Sequence, residues 1–121
     1  MNPPHTPSPV NLSGKRMFVS QTADGGEVSR ETIFTFQQDG NLVSARYEGG
    51  RIRLGLLVGL MHDNRLEFRY VQTDVAGNLD AGKSVCDIRH DDQGRLVLHE
   101  HFEWATRPGG GENIFEEITE D

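Results

Sequence analysis

The stretch Gly49 to Met61, GGRIRLGLLVGLM, is the longest apolar run in an otherwise polar chain, and it limits the folds open to that chain. Ile52, Leu54, Leu56, Val58 and Leu60 alternate strictly, which is the period of a β-strand, where successive side chains point to opposite faces. The intervening positions begin with Arg51 and Arg53 and continue as Gly55, Leu57, Gly59 and Met61, so from Gly55 onward neither face is made for water. The run therefore predicts a central strand with packing on both sides. Its second face, Leu57, Gly59 and Met61, is expected to be an outer apolar surface, covered by a terminal segment or by a second copy in a two-fold homodimer.

The rest of the chain supplies strands and turns around this one. Residues Met1 to Ser13 hold Pro3, Pro4, Pro7 and Pro9 and little that could bury, so residues 1–13 read as an extended arm outside a barrel domain at 14–121. Lys15 to Gln21 reads as a short strand entering a turn at Ala23-Asp24-Gly25-Gly26. Ser29 to Gln38 carries Thr32, Ile33, Phe34, Thr35 and Phe36, and Asp39-Gly40 then supplies the two-residue turn preferred by hairpins. Asn41 to Glu48 returns with Val43, Ala45 and Tyr47 on one face.

Beyond the central run, Arg65 to Thr73 places Leu66, Phe68 and Tyr70 opposite Glu67 and Arg69, a strand with one wet face. Asp74 to Gly82 reads as the longest link, Lys83 to His90 as the next strand, and Asp91 to Gly94 as a turn into Arg95 to Trp104. Along that strand Leu96, Leu98, Glu100, Phe102 and Trp104 share a face. After a breaker at Thr106 to Gly111, the segment Glu112 to Thr119 fits a strand or a short helix equally.

About eight short strands with short links make sequential neighbours antiparallel, and closing them into an up-and-down barrel removes two exposed edges. The expected fold class is therefore all-β: a small antiparallel, lipocalin-like barrel. The chain of 121 residues is long enough for one core, and 14 glycines with 35% hydrophobic residues suit strands and turns better than a helical bundle. A formal charge of −7 opposes nucleic acid and anionic membranes as partners. The single cysteine, Cys86, has no internal disulfide partner, and no charged segment followed by an apolar core opens the chain, so a cytoplasmic, soluble protein is expected.

The phrases GEVSRETIFTFQQDGNLVSARYEGG, IRLGLLVG, LEFRYVQT, AGKS and GRLVLHEHFEW resemble a family of short bacterial proteins catalogued as "N-acetylglutamate synthase". The resemblance spans about Gly26 to Glu117 and implies acetyl transfer from acetyl-CoA to glutamate. Enzymes of that activity use a larger α/β fold, whose glycine-containing strand-to-helix turn holds a pyrophosphate at a helix N-terminus. Here the glycines of GLLVG lie within a strand pattern, so the label transfers no catalytic residue.

Three site readings follow from the faces. Tyr47, Phe68, Tyr70, Glu100, Phe102 and Trp104 form an aromatic wall interrupted by one carboxylate, a candidate interior site for a small apolar ligand. Glu100 must be paired or hydrogen-bonded if it is buried there, in a structural ion pair or by a tyrosine such as Tyr47 or Tyr70. A solid barrel acting through a homodimer surface at Leu57, Gly59 and Met61 is the second reading. The third is an enzyme, either the acetyltransferase or a metal-dependent one at His99, His101 and Glu103, which alternate along one strand. The first is preferred, with no catalytic residue and no cofactor assigned, and Cys86 is read as an inert core thiol.

Overall fold

A computed structural model describes residues 10–22 and 26–119. Eight antiparallel strands close on themselves in chain order: β1 (Arg16–Gln21), β2 (Ile33–Asp39), β3 (Leu42–Gly49), β4 (Ile52–His62), β5 (Arg65–Asp74), β6 (Leu79–His90), β7 (Leu96–Trp104) and β8 (Gly110–Glu117). β1 pairs with both β2 and β8, which seals the barrel and leaves no free edge. No helix occurs among the described residues, so the last segment is a strand. The expected turn at Ala23 to Gly25 and the arm at residues 1–9 lie outside the described residues.

Alternation holds on β3, β5 and β7, where Val43, Ala45 and Tyr47, then Leu66, Phe68 and Tyr70, then Leu98, Glu100, Phe102 and Trp104 are buried. β4 departs from expectation. Leu57 and Met61 point inward and are buried, as Gly55 is, whereas Leu56, Val58 and Leu60 face outward. The cause is a bulge between Ile52 and Leu54 in the pairing with β5, which adds one residue and reverses the phase of everything after it. The proposed outer surface at Leu57, Gly59 and Met61 is thus part of the inner wall.

Glycines in the wall make room for rings. A Cβ on Gly55 would fall inside the Tyr47 ring, one on Gly59 would meet Phe68 and the Glu67 backbone, and one on Gly82 would meet Tyr70 and the Glu103 backbone. Each ring therefore lies across a neighbouring strand at a position without a side chain. β6 begins at Leu79, earlier than the loop-like composition of Asp74 to Gly82 suggested, because Gly82 serves this packing inside a strand.

The two ends of the barrel differ. One is plugged by residues expected to belong to the arm: Leu12 is fully buried and Val10 nearly so. Leu12 N–H donates to Gln38 Oε1 at 2.8 Å and Gly14 N–H to the Phe36 carbonyl at 2.9 Å, which laces the segment to the end of β2. Above it Met17, Phe36, Leu66, Cys86, Leu98 and Phe115 form a solid apolar half. We expect Leu12→Ala to lower unfolding free energy by about 2–5 kcal/mol in urea titrations, as a large-to-small change in a close-packed core does. Gly55→Val, which displaces Tyr47, should cost about 1–3 kcal/mol. Losses under about 0.5 kcal/mol in both would contradict this packing.

Candidate functional site

The other half of the interior is polar at its centre and aromatic around it. Cross-strand register places Glu100 of β7 beside Asn113 of β8, while Ser84 of β6 stands one step along the same inner face from Cys86, which pairs with Glu100. The Asn113 side-chain amide donates to Glu100 Oε1 at 2.8 Å, and the Ser84 hydroxyl donates to Oε2 at 2.6 Å. Neither donor is a cation. Burial therefore dominates and raises the Glu100 carboxyl above its ordinary value, against the lowering effect of the two hydrogen bonds. The sequence expectation that a tyrosine holds Glu100 is corrected: the Tyr47 hydroxyl instead donates to Gln72 Oε1 at 2.7 Å, crossing over Gly55 to do so.

Tyr70 has no such partner. Its hydroxyl is buried without a hydrogen bond among the described residues. Burial, reinforced by Glu100, pushes both tyrosine hydroxyls well above their ordinary range, so each remains a protonated donor. Between these groups lies a cavity of about 30 Å³, bounded by Phe34, Tyr47, Phe68, Tyr70, Gln72, Glu100, Phe102, Trp104 and Asn113. All six residues proposed from sequence stand on its wall. That volume is room for a water molecule or two, not for an organic molecule.

Gly26, Glu27 and Val28, a strap ahead of β2, complete the lining of the cavity. This strap is held by Arg107, from the turn between β7 and β8: its guanidinium lies 4.1 Å over the Trp104 ring and 3.1 Å from Glu27 Oε2. Asp80 Oδ2 is 3.7 Å from the same guanidinium, and Asp80 Oδ1 accepts from the Thr106 hydroxyl at 2.7 Å. At the rim Asp74 accepts from Asn78 Nδ2 at 3.0 Å, and from the backbone of Asn78 and Ala76, which lowers its pKa and fixes the β5–β6 turn. This side of the cavity thus carries one apolar side chain, Val28, beside one ion-paired clamp.

Several of these residues escaped sequence reasoning. Gln72 continues the series Leu66, Phe68, Tyr70, and Ser84 alternates with Cys86, so both were available from periodicity. Asn113 was not, since its segment fitted helix and strand alike. Glu27 and Arg107 meet only through the fold.

The metal candidates are elsewhere, on the outer wall of β7 and β8. His99 Nε2 lies 2.8 Å from Glu112 Oε1 and His101 Nδ1 lies 3.8 Å from Glu112 Oε2. Glu103, the third ligand suggested by alternation, instead faces Lys83 at 3.4 Å, and Glu112 of the adjacent strand takes its place beside the two histidines. Cys86 is fully buried, and burial raises its thiol pKa, as an inert core residue requires.

An eight-stranded up-and-down barrel with a half-solid, half-polar interior is the class of protein these features define. The family model for avidin-like proteins matches residues 10–118, and the chain belongs to that family. No curated protein and no solved structure matches it. The matched segment begins at Val10, which is buried in the plug. The likeness to lipocalins goes no further than the shared up-and-down architecture.

The raised Glu100 pKa has a consequence for stability. Between the ordinary carboxyl value of 4.5 and the raised value in the barrel, the folded state binds more protons than the unfolded state. The contribution of Glu100 to stability is therefore fully present below that window and is lost as pH rises through it. Glu100→Gln, which removes the charge and keeps one acceptor for Asn113 while the Ser84 hydroxyl turns to accept, should remove this part of the fall as pH rises above about 4.5 in urea unfolding. Parallel pH profiles for the two proteins would contradict the assignment.

Proposed function

We propose that the barrel binds one small, largely apolar organic molecule between the polar row and the strap. The observation carrying this reading is the pairing, around one cavity, of a buried carboxylate held only by neutral donors with a buried phenol that has no partner. A carboxylate accepting one hydrogen bond on each oxygen retains acceptor capacity, and a lone protonated phenol is an unused donor. A ligand bringing N–H groups to Glu100 and a carbonyl to Tyr70 would meet both, which describes an amide, lactam or cyclic urea head. Phe34, Phe68, Phe102 and Trp104 would take its apolar body, as small-molecule sites place a few polar groups in an apolar wall. Membership of the avidin-like family supports a small-ligand role.

A molecule of that size needs more room than the cavity of about 30 Å³ offers, and the strap is the part of its lining that would shift to make it. Val28 is the apolar side chain to be displaced, and the Glu27–Arg107 ion pair is the hold to be released. Calorimetric titration with cyclic ureas and lactams, biotin among them, should find one ligand per chain. Tyr70→Phe should weaken it about tenfold, the effect of losing one buried hydrogen bond. Absence of binding across the panel, or equal affinity in Tyr70→Phe and Glu100→Gln, would defeat this assignment.

A homodimer is the second reading, on a different surface from the one expected. Leu42, Leu56, Val58, Leu60 and Val71 are 43–54% exposed. They are contiguous by register, Leu42 opposite Leu60 and Leu56 opposite Val71, on the outer face of β3, β4 and β5. Arg69 and Glu67 stand opposite Val58 and Leu60, 3.6 Å apart, and such a pair can exchange partners across a two-fold axis. Val58→Asp should convert a dimer to a monomer in light-scattering chromatography. A wild-type chain that elutes as a monomer removes this reading.

A further inference from the structure

We propose that His99, His101 and Glu112 form a surface binding site for one first-row divalent metal ion of the zinc type, on the opposite flank from the apolar patch and independent of the barrel interior. The strand period brings the two imidazoles to one face of β7, and the antiparallel register sets Glu112 of β8 directly opposite His101. Their rings are stacked with centroids 4.8 Å apart, and the three available ligand atoms all lie within 4.8 Å of one another. Around a tetrahedral zinc with bonds near 2.0–2.2 Å, ligand atoms sit about 3.4 Å apart. His99 Nε2 lies 2.8 Å from one oxygen of Glu112 and His101 Nδ1 lies 3.8 Å from the other, so both imidazoles already reach the same carboxylate.

The chemistry of the three groups favours a shared cation over a pair of ordinary ion pairs. Two protonated imidazoles stacked at this distance would repel each other, and one carboxylate would have to neutralise both. Two neutral imidazoles and a carboxylate share a single divalent ion without that conflict, in a donor set suited to zinc, nickel or copper. Half-exposed side chains on a rigid two-strand platform can close the remaining distance by rotation about their own bonds, with no change in the barrel. A formal charge of −7 favours cation approach. Three protein ligands leave a coordination position for water or for an exogenous ligand.

Calorimetric titration of the full chain with zinc chloride tests the site. The expected result is one ion per chain with a dissociation constant of about 10 μM or tighter, weakened at least about tenfold in both His99→Ala and Glu112→Gln. Copper(II) added to the wild type should show two coordinated nitrogens by electron paramagnetic resonance, reduced to one in His99→Ala. Far-UV circular dichroism verifies that the variants keep the barrel. Binding weaker than about 10 μM, or affinity unchanged in either variant, overturns the proposal.

Discussion

The interior of a closed eight-stranded barrel is narrow, and everything in this protein follows from how that narrow space is filled. Rings cannot face rings from all eight strands without collision. Gly55, Gly59 and Gly82 relieve the crowding by giving up their side chains to Tyr47, Phe68 and Tyr70, which lie across them. This is why a glycine-rich apolar run stands at the centre of the chain and why β4 carries a bulge that turns its glycines inward. A strand in the other phase would put Leu56 and Val58 where the Tyr47 and Phe68 rings now lie.

The same filling divides the barrel by chemistry. Toward the end closed by Leu12, aliphatic and aromatic side chains leave no polar group exposed to them and hold the fold together. Toward the strap, Glu100, Ser84, Asn113, Gln72 and the two tyrosines occupy the core at a cost in desolvation that hydrogen bonds only partly offset. A barrel selected for stability alone has no use for a carboxylate at that depth. The apolar half packs as a solid base beneath these groups, and the Glu27–Arg107 ion pair lies beside them at the other end.

The sequence displays this architecture unevenly, for physical reasons. Strands with one wet face are self-reporting: Glu67 and Arg69 point out, so Leu66, Phe68 and Tyr70 must point in, and the aromatic wall with Glu100 was legible at once. β4 hid its orientation because both its faces are apolar, and a bulge cannot be seen in alternation that runs unbroken on paper. Gly82 read as a loop residue because its role depends on a tyrosine from the strand beside it. Long-range pairs such as Glu27 with Arg107, and Glu112 with His99, exist only after closure brings distant segments together. Val10 and Leu12 were lost to their proline-rich surroundings, although their burial makes them part of the core.

The central claim is that the polar row beneath the strap exists to hold a small molecule. Native mass spectrometry of the full chain purified from its own host, compared with the same sample after denaturation, tests it most directly. The account predicts a mass excess of one small organic molecule per chain that disappears on denaturation and is reduced in the Glu100→Gln and Tyr70→Phe proteins. A bare chain mass in wild type, identical before and after denaturation, would contradict it and leave the buried carboxylate as a structural group alone.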